Sequence, residues 1–161
     1  MKRNTIALAA LLGLFGIDSN AAENNTSFGV GAGALYGGIG LNVGLRREND
    51  FRYVAAGCIA FGYGDASGWI LPCGVGAGWI WTDLLPTAND RHGLGFYLGP
   101  VGIRPDKYGY DDKARYGVGI TYLYFFNGVN ASGWNVGITP AVGKEDGDRT
   151  GSLLINAGYQ F

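Results

Sequence analysis

The feature that most constrains the fold is a period of two between large apolar residues and small or polar residues near the carboxyl end of the chain. One face of this pattern carries Tyr116, Val118, Ile120, Tyr122, Tyr124 and Phe126, and the other carries Arg115, Gly117, Gly119 and Thr121. Side chains alternate between the two faces of a β-strand, so the pattern predicts a strand with one apolar face. Segments 134–142 and 153–161 repeat it, which predicts three consecutive strands of one kind.

The preceding chain is divided in the same manner by polar, Gly-rich or Pro-containing breaks, which are typical of turns. We predict five further strands there, near residues 27–35, 38–46, 51–61, 69–81 and 93–103. A tight turn at Gly37 and Gly38 is expected between the first two. The total is about eight strands joined in sequence, with no helical periodicity between them.

The amino-terminal residues have the pattern of a secretion signal. Lys2 and Arg3 are followed by an apolar run over residues 5–17, and Ser19, Asn20, Ala21 and Ala22 supply small residues for cleavage. The run is shorter than the roughly 20 apolar residues that a membrane-spanning helix needs. We therefore predict a signal peptide over residues 1–21, cut after Ala21 or Ala22, and a single mature domain over residues 22–161.

The number and position of the glycines distinguish a membrane barrel from a soluble sandwich. The chain has 30 glycines among 161 residues, well above the usual share of about 7 %. The face opposite the apolar residues is mostly glycine, whereas the polar face of a soluble β-sandwich normally carries many charged residues. A narrow barrel uses small inward residues to leave space for a few large ones. We predict a closed, antiparallel, up-and-down transmembrane β-barrel, with a soluble periplasmic barrel or sandwich carrier as an alternative.

Aromatic residues give a second indication, because transmembrane barrels place Tyr and Trp rings at both membrane interfaces. With both termini on the periplasmic side, Trp69 is expected near the outer interface. The periplasmic interface is expected to hold Tyr53, Trp79, Trp81, Tyr124, Phe126, Trp134, Tyr159 and Phe161.

The carboxyl terminus carries a family resemblance. The chain ends at Phe161, and Tyr159, Ala157 and Ile155 share its face. This pattern resembles the last strand of small eight-stranded bacterial outer-membrane barrels of the opacity and virulence-related type. The resemblance implies that Phe161 is an assembly signal read by the barrel-assembly machinery, and that the protein lies in the bacterial outer membrane after export through the inner membrane.

Two cysteines in an exported chain make a disulfide a possibility. Cys58 and Cys73 fall on neighbouring predicted strands, on either side of the break at 62–68. If Tyr53, Ile59 and Phe61 point outward, however, Cys58 points inward while Cys73 shares a face with the tryptophans. A bulge or a register shift is then needed for a bridge, and two separate thiols remain the alternative.

His92 is the single histidine, so it is the only residue available for histidine-dependent catalysis. The stretch from Gly76 to Phe96 resembles part of the lipid A palmitoyltransferase barrels through Gly76, Gly78, Trp79, Thr82, Leu85, Asp90, His92, Leu94, Gly95 and Phe96. That family takes its histidine from near the mature amino terminus and pairs it with an Asp-Ser dipeptide, whereas this chain has no histidine before His92 and no Asp-Ser pair in the turn at 64–67. His92 is therefore only a weak catalytic candidate, and a lipid A-modifying enzyme is an alternative function.

The remaining composition sets the expected partners. Twelve basic and thirteen acidic residues give a formal net charge of -1, which provides no basic surface for nucleic acid. No cofactor and no metal site is predicted. We expect a structural or surface-interaction protein without an open solute pore, in contact with outer-membrane lipid and lipopolysaccharide. Its external partner, oligomeric state and specific activity are not specified by the sequence.

Overall fold

The chain folds into a closed barrel in which each of eight antiparallel strands is hydrogen-bonded to the next along the sequence. This arrangement is seen in a computed structural model that describes residues 26–59, 72–85, 90–104, 113–145 and 148–161. Pairing of the last strand with the first, in register at Ala32 and Ala157, closes the barrel. The predicted fold class is confirmed: all-β, closed, antiparallel and up-and-down.

The strands are short in the first half of the barrel and long in the second. They are β1 (Thr26–Gly33), β2 (Gly38–Arg46), β3 (Asp50–Cys58), β4 (Cys73–Trp81), β5 (His92–Arg104), β6 (Lys113–Phe125), β7 (Gly133–Glu145) and β8 (Asp148–Gln160). Strands β1 to β4 have 8 or 9 residues, and β5 to β8 have 13 each. Strands β5 to β8 therefore extend further at the end of the barrel away from the termini.

One predicted strand ends earlier than its sequence pattern indicates. Residues 34 and 35 were expected to complete the first strand, but they belong to a 3₁₀ helix, Ala34–Tyr36, between β1 and β2. Gly37 follows with φ 69°, a left-handed conformation that a residue without a side chain adopts most easily. All three helical residues are fully buried. The chain therefore turns into the barrel here, because the side chains of the three helical residues are buried in the lumen.

Within the described residues, no helix is long and apolar enough to cross a lipid bilayer.

Some predictions concern residues outside those described. The signal peptide and its cleavage site precede Thr26, and the predicted interface residue Trp69 falls in the 60–71 gap.

The outer wall is apolar along the strands. Alternate residues of β6, β7 and β8 are exposed there, among them Ile120 at 62 %, Trp134 at 64 % and Ile155 at 71 %. The intervening residues turn to the interior, as the period of two predicts. The sequence pattern therefore identified both faces of these strands correctly.

A bulge interrupts β5 at Pro100. The register with β6 shifts between Pro100 and Gly102, and Val101 is buried at 1 % exposure. Proline has no N–H to donate to the strand ladder, so a local irregularity is expected at this residue.

Candidate functional site

The lumen of the barrel is filled by side chains in its described part. Buried residues come from all around the wall and include both apolar and polar groups. The largest fully buried side chains are Tyr36, Tyr53, Tyr97, Phe51, Leu35, Ile80, Leu123, Gln160, Val101, Val129, Asn135 and Asn156. An eight-stranded barrel is only wide enough for its own side chains, and this interior follows that rule.

The 3₁₀ helix is held inside the lumen by side chains from two strands. The backbone N–H of Leu35 donates to Oδ1 of Asn156 on β8 at 3.0 Å. Asn42 Nδ2, on β2, donates to the Leu35 carbonyl oxygen at 3.0 Å. A backbone turn inside a barrel has N–H and C=O groups that the strand ladder does not satisfy, and these two amides satisfy them. The helix is therefore a plug, anchored by polar side chains.

The side chain of Tyr36, the last residue of this plug, contacts a third strand of the barrel. Asn135 Nδ2, on β7, donates to the Tyr36 hydroxyl oxygen at 2.7 Å. On the same side of the lumen, Asn156 Nδ2 donates to Thr139 Oγ1 and Thr139 Oγ1 donates to Thr121 Oγ1, each at 3.0 Å. Buried polar groups cost free energy unless they are paired, and these pairs join β6, β7 and β8 to one another.

Sequence reasoning did not single out the asparagines that hold the plug, although a signal was present. Asn42, Asn135 and Asn156 each stand between two apolar residues that point outward. A polar amide at an inward position of such a strand indicates a lumenal hydrogen bond. The partner of each amide could not be read in advance, because the plug itself was expected to be strand.

Inward-facing glycines provide the space for the buried rings. A side chain at Gly78 would collide with the ring of Tyr53, its register partner on the neighbouring strand. A Cβ at Gly158 would lie 2.5 Å from Tyr36 Cζ, and one at Gly99 would lie 2.6 Å from Tyr97 Cζ. These glycines support the expectation that small lumenal residues make room for large ones.

Tyr53 is a correction to the predicted set of interface aromatics. It was expected on the outer wall, but it is buried at 2 % exposure and its ring stacks on that of Phe51 at 5.7 Å between centroids. The physical reason is the space opposite Gly78, which accepts a ring inside the barrel. The apolar face of β3 therefore points inward, in contrast to that of β6, β7 and β8.

The inward orientation of Tyr53 also explains how the two cysteines can form a disulfide. Cys58 and Cys73 are register partners at the ends of β3 and β4 and form a disulfide. The expectation that Cys58 points inward was wrong because it followed from the orientation assumed for Tyr53. With Tyr53 inside, Cys58 and Cys73 share the outer face, and the two strands pair without a bulge over the whole of β3.

The other described aromatics of the predicted interface form a belt on the outer wall, at the end of the barrel that carries the termini. Neighbouring rings are in contact: Trp79 stacks on Trp81 at 4.8 Å, and Tyr159 meets Phe161 edge to face at 4.9 Å. From the predicted set the belt comprises Trp79, Trp81, Tyr124, Phe126, Trp134, Tyr159 and Phe161, and the structure adds Phe96 and Tyr122. Its members lie on strands β4 to β8 or directly after β6 and β8.

Phe161, the predicted assembly signal, is exposed at 60 %. Its backbone N–H donates to the carbonyl oxygen of Phe28 on β1 at 2.7 Å. The last residue is therefore placed at the junction where the barrel closes.

His92 lies within the same belt, on the outer wall. Its Nδ1 is 2.8 Å from the hydroxyl oxygen of Tyr122, and its ring meets that of Tyr124 at 5.1 Å. The structure brings it together with tyrosines rather than with a serine or a carboxylate among the described residues. A tyrosine hydroxyl can orient an imidazole, but this pair does not form the nucleophile and base of a hydrolytic site.

Within the described ranges, no group of three or more His, Cys, Asp or Glu residues is arranged to hold a metal ion.

An apolar groove of about 480 Å³ lies in the outer wall between β8, β1 and β2. It is lined by Val30, Gly31, Ala32, Ile39, Gly40, Leu41 and Ala157. Its lining is almost free of polar atoms, so it matches a hydrocarbon chain better than a polar ligand.

Comparison with known proteins gave no match: no family model fits the sequence, and no curated protein or solved structure is significantly similar to it. The geometry of the outer wall and of the lumen is therefore the basis on which function is inferred.

Proposed function

We propose that the protein is an integral β-barrel of the bacterial outer membrane, of the small eight-stranded type, with a structural or surface-interaction role and no open solute pore. The observation that carries the proposal is the outer wall. Leu41, Ile120 and Ile155 are each more than 60 % exposed, on three different strands. Soluble monomers rarely expose a continuous apolar surface of this extent, whereas a lipid bilayer stabilises it.

The aromatic belt supports the same proposal. Its rings lie on the outer faces of β4 to β8 at the terminal end of the barrel, and exposed apolar residues of the same strands lie beyond them. This is the order in which transmembrane barrels arrange an interface girdle and a hydrocarbon band. The belt end would face the periplasm, and the carboxyl-terminal Phe161 would be available there to the barrel-assembly machinery.

The filled lumen limits the functions that such a barrel can have. The 3₁₀ helix and the rings of Tyr36, Tyr53 and Tyr97 occupy its interior. Pores for polar solutes need about sixteen strands, so transport through this interior is disfavoured. The surfaces that remain are the outer wall and the end away from the termini, which would contact outer-membrane lipid, lipopolysaccharide or an external partner.

Fractionation of cells that produce the full chain tests the proposal against a soluble periplasmic carrier. We expect the protein to stay in the outer-membrane fraction after a carbonate wash, and to migrate differently in gels before and after heating. Recovery of a monodisperse protein from the periplasm without detergent would contradict it.

A further inference from the structure

Two basic residues lie directly opposite each other at the end of the β7–β8 hairpin. Lys144 and Arg149 are register partners, and both are exposed. Opposed residues of an antiparallel pair have Cβ atoms about 5 Å apart and point to the same face. Lys144 follows the exposed residue Val142 by two positions, and Arg149 precedes the exposed residue Leu153 by four, so both belong to the outer wall.

Like charges in this position repel each other and destabilise a hairpin unless an anion lies between them. Arg52, at the other end of the barrel, is paired with Asp50. Two cations side by side on an outward face are suited to an anion such as a phosphate.

The distance of this pair from the aromatic belt, measured along the barrel axis, indicates where that anion lies. Trp134 and Tyr159 are register partners in the aromatic belt, and each is ten residues from its basic counterpart, Lys144 or Arg149. Ten residues span about 34 Å along a strand, or about 26 Å along the barrel axis at a tilt near 40°. The apolar band of transmembrane barrels is about 25 Å tall.

The residues between these two levels agree with that distance. The outer wall between them carries Val136, Ile138 and Val142 on β7, and Ile155 and Leu153 on β8, all exposed and apolar. If the belt lies at one membrane interface, the basic pair lies at the opposite one, where lipid phosphates are found.

We propose that Lys144 and Arg149 form a binding site for the phosphate of an anionic lipid headgroup in the outer leaflet. The inference depends on the proposed membrane location. The Arg149 guanidinium offers paired N–H donors that match two phosphate oxygens, and the Lys144 ammonium adds a point charge on the same phosphate. Binding removes the repulsion between the two cations, so the site is most stable when it is occupied.

The test uses the full chain purified from membranes in neutral detergent and titrated with lipid A, with bound lipid counted by native mass spectrometry. Replacing both residues with glutamine, Lys144→Gln with Arg149→Gln, should weaken lipid A binding by about tenfold or more. The matched control, Arg47→Gln with Arg91→Gln, removes two exposed cations at the belt end and should leave the affinity within about twofold. Equal loss in both double variants, or no loss in either, would overturn the proposal.

Two further arms identify the source of the phosphate and separate this inference from the membrane proposal. Excess inorganic phosphate should not displace lipid A, and displacement by inorganic phosphate would overturn the lipid assignment. Heat-modifiable migration of the same samples reports the folded membrane barrel. A barrel that stays heat-modifiable in membranes but binds lipid A independently of Lys144 and Arg149 would refute the inference alone, whereas a soluble protein would refute the proposed function.

Discussion

The hydroxyl oxygen of Tyr36 lies 2.7 Å from the amide nitrogen of Asn135, although 99 positions separate the two residues in the chain. This contact ties the 3₁₀ helix to the far wall of the barrel. Asn42 and Asn156 hold the backbone of the same helix through Leu35. The plug and the wall are therefore joined by a polar network in the lumen, and the stability of the barrel should depend on it.

Tyr36→Phe should lower the free energy of unfolding by about 1–3 kcal/mol, because it leaves the buried Asn135 amide without its partner. Urea-induced unfolding in phospholipid vesicles measures the change. Tyr159→Phe is the matched control, since no hydrogen bond of the Tyr159 hydroxyl is found among the described residues and its ring lies on the outer wall. Equal stability of the two variants would contradict a structural role for the plug contact.

Gly78→Ala should also destabilise the barrel, by about 1–3 kcal/mol, because the added Cβ would lie 2.5 Å from Tyr53 Cε1. The matched control is Gly151→Ala, where an added Cβ has open space around it. The same unfolding measurement compares the two variants. A Tyr53→Leu background should relieve part of the cost at Gly78; if it does not, the collision with the ring is not the cause.

The Cys58–Cys73 disulfide closes a segment with a sequence separation of 15, for which chain entropy gives about 3 kcal/mol of stabilisation. Replacing both cysteines with serine should lower the unfolding midpoint, and a reducing agent should lower that of the natural chain. The double variant provides the control, because its midpoint should not respond to the reductant. A natural chain that is insensitive to reduction would show that the bridge contributes little.

His92→Ala should leave the acylation pattern of lipid A unchanged in cells that produce the protein. The expectation follows from the contacts of the ring, which are with Tyr122 and Tyr124 on the outer wall. Mass spectrometry of extracted lipid A measures it, with cells lacking the protein as the reference. A pattern that differs between the natural chain and His92→Ala would favour a lipid A-modifying enzyme over the proposed role.

The alternation of apolar and small residues was sufficient to predict the strand number, the closure and the outward face of β6, β7 and β8. It failed for Tyr53 because a period of two defines two faces without saying which of them points inward. In β3 the answer depends on Gly78, which belongs to another strand and whose register with Tyr53 could not be read from the sequence. The uncertainty about the disulfide had the same origin.

The plug and the bulge were missed for different reasons. Ala34, Leu35 and Tyr36 continue an apolar segment, so local pattern favours a strand, but contacts with Asn42, Asn135 and Asn156 on three strands stabilise a turn inside the lumen. Tertiary contacts of this kind override local preference. Pro100 disfavours a regular ladder in β5, but the position of the shift depends on pairing with β6.

The most direct test of the central claim, that the outer wall faces hydrocarbon, is the stability of Ile155→Arg in phospholipid vesicles. Ile155 is 71 % exposed and lies between the aromatic belt and the Lys144–Arg149 pair. Ala131→Arg, at an exposed turn near the belt, is the control. A lipid-facing site near the bilayer centre predicts a loss of about 2–4 kcal/mol for Ile155→Arg and little change for Ala131→Arg. Equal stability of the two variants, as expected for a water-facing surface, would contradict the account.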